Sequence, residues 1–439
     1  MKKPLLHFAP EKNWMNDPNG TIFVDGVYHV FYQYNPHGPS WGDIHWGHAV
    51  TKDLVNWKRR DIFLSPDKKD DEQHCFSGCT AKGKDGYKCF YTSIGFEKDA
   101  VQKHASQVIK DIDKDFNHVK GNSSVLTNDL NPYFISEWRD PFIFHHQNKT
   151  YLLLAGQANN LSSVYLYRAK DESLNDWEFL KPLYSVPINS DILECPNAVM
   201  FGNKMLLIYS SIHDNLIKYV SGDFMDENLI VKQKGIVDYG VNCYYASNIA
   251  IDKDNNVILF AWQRESLNNL ASPDGLYSGC LALPRVITLN GYKPSFHFVD
   301  SLQSLNLEEL PILKKDDKYY VEDCEQARIT FNVKGEATLY FLTNAKEEVT
   351  LIFKENKLEI VRKSLFKPSD LRSLSCPLLE KENHVEMIRD NTITEMIING
   401  DTALSFRFYN LEPIDKLLMF TSPNIKELRV TKLKAPIIK

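Results

Sequence analysis

The sequence predicts an all-β chain, a five-bladed β-propeller followed by a C-terminal β-sandwich, on three observations. A unit of polar motif, strand, tight turn and apolar strand occurs five times in the first 300 residues. It recurs roughly every 55–60 residues, near the spacing of propeller blades. After Leu283-Pro284-Arg285 the motif stops, and from Tyr319 onward only alternating apolar runs remain, as in a second all-β unit. On this reading residues 1–300 form the propeller, 301–315 a linker with a helical turn within Leu302 to Leu310, and 316–439 the sandwich.

Trp14-Met15-Asn16-Asp17-Pro18-Asn19-Gly20 opens the first unit, ahead of strands Thr21 to Val24 and Val27 to Tyr32. Asp25-Gly26 between those runs is a strong hairpin signal. Pro18 drives Asp17 toward an extended backbone, and Gly20 frees the chain to turn. Phe76-Ser77-Gly78 opens the second unit, with a turn at Lys82 to Gly86. Arg139-Asp140-Pro141 opens the third, Glu194-Cys195-Pro196 the fourth and Tyr245-Ala246-Ser247 the fifth, each before a strand, a turn and a second strand. The sandwich runs are Ala327 to Val333, Ala337 to Leu342, Val349 to Phe353, Lys357 to Val361, Thr392 to Ile398, Ala403 to Tyr409 and Lys416 to Phe420. Blades are radial, so motifs at equivalent strand ends meet at one mouth of the channel. Three of the five carry an acid: Asp17, Asp140 and Glu194.

Composition narrows the function. The chain has 439 residues, 43% hydrophobic and 25% charged, which is globular, and its length suits two domains. A net charge of −6 disfavours nucleic acid, and no apolar run reaches membrane-spanning length. The apolar stretch after Met1-Lys2-Lys3 is too short for a secretion signal. Eight cysteines form neither a dense disulfide framework nor a zinc pattern, since Cys75 and Cys79 have no matching pair. A cytoplasmic protein with reduced thiols is the expectation. Asn19-Gly20-Thr21 is formally a glycosylation sequon inside the first motif, where a glycan would obstruct it.

Carboxyls converging among aromatics and amides suit glycosidic bond cleavage. One carboxyl must donate a proton to the departing oxygen while another, ionised, faces the anomeric carbon. Like charges in one cluster split their own pKa values. Trp14, Trp41, Trp46, Phe76 and Trp262 offer flat apolar faces to a sugar, and Asn16 and Gln33 offer hydrogen bonds. A Walker-type phosphate loop and a Gly-x-Ser-x-Gly nucleophile elbow are both absent.

These motifs, in order, resemble glycoside hydrolase family 32, the β-fructofuranosidases. The resemblance rests on His7-Phe8-Ala9-Pro10, Trp14 to Gly20, Phe31 to Pro36, Trp41 to Ala49, Phe76-Ser77-Gly78, Trp138 to Pro141, Leu193 to Asn197, Gly275 to Gly279 and Leu283-Pro284-Arg285. It implies a five-bladed propeller with a sandwich, and a retaining β-fructosidase acting on sucrose, sucrose 6-phosphate or short fructo-oligosaccharides. It implies Asp17 as nucleophile, Glu194 as acid/base and Asp140, beside Arg139, as transition-state stabiliser. Asn16, Gln33, Trp41, Phe76, Ser77, Arg139 and Trp262 would surround the fructosyl unit. The expected partner is a β-fructoside, with no nucleic acid, membrane, metal or other cofactor; the oligomeric state is left open.

One segment departs from the family pattern. Asp238-Tyr239-Gly240-Val241-Asn242-Cys243-Tyr244-Tyr245-Ala246-Ser247-Asn248 has altered residues and an extra position, which opens the leaving-group preference. A fructosyltransferase, a non-catalytic carbohydrate-binding propeller and an inverting arabinan-type glycosidase are the competing readings. Outside the acids, bland roles are expected. Cys195 is a packed thiol, and His45 and His48 are structural donors. Asp252, Asp254 and Asn256 form a solvated turn rather than a calcium loop, and Lys58-Arg59-Arg60 and Lys68-Lys69 are surface charge rather than phosphate contacts.

Overall fold

A computed structural model describes residues 3–95, 105–265, 276–343, 346–362, 374–408, 417–421 and 424–439. Among them the only helical elements are three short 3-10 turns; the rest of the regular structure is strand.

Five antiparallel sheets take the chain in order up to Phe298. Sheet I runs from Asn13 to Leu64, sheet II from Glu72 to Leu126, sheet III from Ser136 to Pro187, sheet IV from Leu193 to Asp238 and sheet V from Tyr244 to Phe298. Their first strands are Asn13–Val24, Glu72–Gly83, Ser136–His146, Leu193–Phe201 and Tyr244–Ile251. Each first strand packs against those of the sheets before and after it, and the fifth packs against the first, so they form a closed cycle. Tyr277–Ser278 fastens the cycle by pairing parallel to sheet I, Asn13 with Tyr277 and Trp14 with Ser278. Gly279 then turns at φ +81°, where a Cβ would lie 2.0 Å from Met15 O and 2.7 Å from Trp262 Nε1. Only glycine can make that passage. Gly275, the start of the motif expected here, lies outside the described residues.

The polar motifs do not precede the first strands, as the sequence suggested; they lie inside them, at a β-bulge in each. Pairing with the second strand breaks between Met15 and Pro18, Cys75 and Gly78, Glu194 and Asn197, and Tyr245 and Asn248, and in sheet III between the partners of Leu153 and Ala155. A bulge re-aims side chains and tolerates proline, which cannot donate to a ladder. Pro18, Pro141 and Pro196 occupy three of these positions. The bulge residues Asp140, Cys195 and Ala246 have positive φ, at 61°, 48° and 47°. Side chains satisfy their freed backbone donors. Asp140 N donates to Thr92 Oγ1 at 2.9 Å, Cys195 N to Asp140 Oδ2 at 2.8 Å and Ala246 N to Ser210 Oγ at 3.2 Å.

The remaining chain forms a six-stranded and a seven-stranded sheet with an apolar core between them. Alternation gives the six-stranded sheet two buried faces. Along Ile393–Ile398, Met396 and Ile398 join the sandwich core, while Ile397 joins the core of the five sheets. The stretch 301–315 is not a free linker. Asp300–Leu305 is a 3-10 turn burying Leu302 and Leu305, Asn306–Glu309 pairs with Ile425–Leu433, and Leu313–Lys315 pairs with Lys318–Val321. Both strands sit at sheet edges with exposed side chains, so neither shows alternation. Tyr409 and Lys416, expected as strand ends, lie outside the described residues.

A buried ionic network joins the two parts. Arg285 donates to Asp238 at 2.8 Å and to Glu395 at 2.6 Å, and His7 bridges Asp390 at 2.7 Å and Glu395 at 3.0 Å. Asp390 also accepts the backbone N–H groups of Leu5, Leu6 and His7.

Candidate active site

All five bulged strands point side chains into one pocket of about 550 Å³. Sheet I contributes Trp14, Asn16, Asp17 and Gln33, its following loop Trp41, and sheet II Phe76 and Ser77. Sheet III contributes Glu137, Arg139 and Asp140, sheet IV Glu194, and sheet V Tyr245 and Trp262. Of the residues singled out from the sequence, Asp17, Asp140, Glu194, Asn16, Gln33, Trp41, Phe76, Ser77, Arg139 and Trp262 line this pocket and Trp46 does not. Trp14, named only as a flat apolar face, lines it as well, as do Glu137, Ile212, Asn215, Tyr245 and Arg264, which had no site role assigned.

A chain of hydrogen bonds orients Asp17. Trp14 Nε1 donates to Asn16 Oδ1 at 2.6 Å, and Asn16 Nδ2 donates both to Asp17 Oδ1 at 2.9 Å and to Gln33 Oε1 at 2.7 Å. Gln33 Nε2 donates to Ser77 Oγ at 2.5 Å, and Ser77 Oγ donates to Asp17 Oδ2 at 2.7 Å. Each carboxylate oxygen thus accepts from a side chain whose own orientation is fixed by another. Cys195 Sγ approaches Asp17 Oδ2 at 3.6 Å. Asp140 accepts from Cys195 N and faces Arg139 Nε at 3.7 Å, and Arg139 also pairs with Glu137. Glu194 accepts from Tyr245 OH at 3.1 Å. Trp262 Nε1 is buried on the pocket wall with no acceptor.

Burial is the largest influence on all three acids. It lifts Glu194 to about 7; Arg139 and Tyr245 pull the value down, and the charges of Asp140 and Asp17 push it up. Asp17 is also raised by burial, against the bonds from Ser77 and Asn16. Asp140 is raised by burial against Arg139 and the Cys195 N–H. Mutual repulsion, the cause expected from sequence, is present but secondary. Burial works against the charge on Arg139, yet Glu194, Asp140 and Glu137 outweigh it and hold the guanidinium protonated. The site can therefore supply a protonated carboxyl near neutrality beside a carboxylate held by two donors.

Other expectations resolve locally. Trp46 does not line the pocket; it is fully buried and donates from Nε1 to Phe76 O at 3.0 Å, so it supports the wall from behind. All eight cysteines are buried thiols outside any disulfide, and Asn19 of the sequon is buried as well. Asp252 caps its own turn, accepting from Asp254 N and Asn256 N, both at 2.8 Å. Lys58, Arg59 and Arg60 lie on the outermost strand of sheet I, where Arg59 donates to Ala9 O and Arg60 to Asn117, and neither they nor Lys68 and Lys69 line the pocket. His48 is buried against His29 and Phe31. Tyr245 had a signal in the sequence, because it opens the fifth unit. Glu137, Ile212, Asn215 and Arg264 sit outside the repeated motifs.

Residues 7–297 match a model of the glycosyl hydrolases family 32 N-terminal domain. The chain is 27% identical over 439 residues to a sucrose-6-phosphate hydrolase of Zymomonas mobilis, covering 91% of this chain and 84% of that protein. It is 30% identical over 370 residues to a fructan 1-exohydrolase of Triticum urartu, covering 74% of this chain and 60% of that one. Among solved structures, fructan 1-exohydrolase IIa of Cichorium intybus in complex with 1-kestose superposes with a TM-score of 0.82 at 19% identity, over 99% of this chain and 98% of that one.

Proposed function

Since the chain belongs to glycosyl hydrolases family 32 and is a glycoside hydrolase of the β-fructofuranosidase class, we propose that it is a retaining hydrolase of terminal β-D-fructofuranosyl bonds. Sucrose, sucrose 6-phosphate and short fructo-oligosaccharides are its substrate class. The observation that carries this reading is the pocket in which bulges bring Asp17, Asp140 and Glu194 together, with Glu194 lifted to about 7.

In the first step Glu194 gives its proton to the departing glycosidic oxygen while a carboxylate oxygen of Asp17 attacks the anomeric carbon. The bond to the leaving group breaks and a fructosyl ester forms. In the second step Glu194, now ionised, takes a proton from water, which attacks the same carbon and releases Asp17. Asp140 and Arg139 hold ring hydroxyls, and the Asp140 charge stabilises the oxocarbenium-like transition state. Trp262, Trp41 and Phe76 supply apolar faces.

The architecture reads with it: the cycle of sheets is a five-bladed propeller over residues 1–300, and residues 316–439 are the sandwich. We place the enzyme in the cytoplasm, a reading supported by eight buried cysteines that form no disulfide. The test is early-time NMR of the fructose first released, before mutarotation, with kcat/KM on sucrose, sucrose 6-phosphate, kestose and inulin. β-Fructose is expected first. α-Fructose would overturn the double displacement, and trisaccharide as the main product would make the enzyme a transferase.

A further inference from the structure

We propose that His37, Asp43 and His45 form a site for one divalent transition-metal ion of the zinc type, on the loop that carries Trp41 at the rim of the pocket. The three residues offer one ligand atom each, all within 4.8 Å of one another. His37 Nε2 stands 2.9 Å from Asp43 Oδ2, a hydrogen bond whose Nε2 hydrogen moves to Nδ1 or to solvent when that nitrogen ligates. Two imidazoles and a carboxylate are a donor set that zinc takes readily, with water filling the open position.

The histidine orientation carries the argument. His45 Nδ1 lies 2.7 Å from the carbonyl oxygen of Asp43. A carbonyl only accepts, so Nδ1 bears the hydrogen and Nε2 keeps its lone pair. Metal-ligating histidines are held in this way, the second ring nitrogen donating to a backbone carbonyl that fixes tautomer and ring direction. Asp43 has φ +44°, a left-handed conformation that aspartate tolerates. In it the residue offers its carbonyl to one imidazole and its carboxylate to the other.

Tetrahedral zinc with ligands at ~2.0–2.2 Å needs its donor atoms ~3.3 Å apart. The His37 side chain, 68% exposed, is free to make the small movement inward. Lys68 lies near enough to His45 to act against a cation, and the Asp43 carboxylate offsets it. The consequence reaches the pocket because Trp41 lies between His37 and Asp43 in the chain. Its ring is 48% exposed and stands 5.1 Å from His74 and 6.1 Å from Phe76. An ion joining the two ends of this segment restricts Trp41 and so changes KM.

The experiment titrates the full chain, stripped with a chelator, with Zn²⁺ alone by calorimetry. One equivalent is expected to bind, with affinity falling about tenfold or more in His37→Gln and in His45→Gln. His37→Gln keeps its metal-free turnover, since the residue is exposed and outside the pocket. Zinc is expected to shift KM of the unaltered chain and leave that of His37→Gln unmoved. The binding arm does not depend on what the pocket hydrolyses. No binding up to millimolar zinc, or undiminished binding in His37→Gln, overturns the site. Zinc that binds both variants equally and stops turnover belongs to Asp140, Glu194 and Cys195, which also offer three ligand atoms within that span, and overturns it too. Binding at His37 and His45 without any change in KM overturns the coupling to Trp41.

Discussion

In the pocket, Arg139 is the cation beside Asp140 and Glu194 and Glu137 also claims it, while Asp17 is held by Ser77 and Asn16; between the five sheets and the C-terminal pair of sheets, Arg285 is shared by Asp238 and Glu395, and His7 by Asp390 and Glu395. The interface carboxyls are wholly out of water, whereas Asp17 and Glu194 are half-buried at the wall of an open pocket. In the pocket burial wins, and all three acids titrate above their usual range. At the interface it loses: burial pushes Glu395 up, but Arg285 and His7 bring it below the ordinary value. The difference lies in the count of cations and donors. A buried charge that is matched holds structure together, and one left short stores the free energy that chemistry at that position needs.

Replacing one carboxyl in the pocket should have the largest effect, and on turnover only. Asp17→Asn or Glu194→Gln is expected to lose more than ~10⁴-fold in kcat, because the proposed nucleophile and proton donor would act as a unit. Stability should hold or rise, since a poorly matched buried charge has gone. Steady-state rates beside urea midpoints on the same preparations check both halves. A fall in midpoint as deep as that of an interface mutant would dissolve the contrast.

Arg285→Met is the converse. It leaves Asp238 and Glu395 buried without their common partner, which costs ~3–5 kcal/mol. The urea midpoint should drop accordingly, while kcat of the folded fraction stays near that of the unaltered enzyme. An unchanged midpoint would mean that the network contributes nothing.

The interface also has its own pH signature. Burial works to lower the His7 pKa, but the bonds and charges of Asp390 and Glu395 outweigh it and raise it to about 9 from an ordinary 6.5. A raised folded pKa gives stability fully present below 6.5 and lost as pH climbs through about 9. Urea midpoints should therefore fall between those values, and His7→Gln should flatten that fall. A profile that His7→Gln leaves unaltered would remove His7 from the account.

Sequence carried the pocket further than it carried the interface, for a physical reason. Local chemistry marks the pocket: Asp17, Asp140 and Cys195 each precede a proline in a strand-and-turn unit, and that unit repeats. The bulges were not legible, because which backbone donors go unpaired depends on the neighbouring strand. Glu137, Asn215 and Arg264 reach the pocket from positions without a repeated motif, so only the assembled sheets reveal them. The interface partners lie far apart in the chain, and His7, Arg285 and Glu395 occupy strands or loops with nothing local to announce a charge pair. Asn306–Glu309 was read as linker because an exposed edge strand needs no apolar alternation.

The smallest expected effect tests whether donor count tunes the pocket as it tunes the interface. Tyr245 OH donates to Glu194 at 3.1 Å and is one of the influences lowering its pKa. Tyr245→Phe removes that donor and keeps the ring, so Glu194 should move further up, away from the behaviour of Glu395. The proposed first step needs Glu194 protonated, so a higher pKa preserves the active form at higher pH. The alkaline limb of kcat/KM, which reports the free enzyme, should shift upward. The charge-assisted bond to the carboxylate exceeds the bond to the neutral acid by ~1 kcal/mol, so relative activity on that limb should rise about fivefold. Absolute kcat near the optimum should fall modestly, because Tyr245 also fixes the direction of the carboxyl. A limb that stays in place, or moves toward acid, would mean that Glu194 is set by burial alone and that the comparison with the interface fails at its most sensitive point.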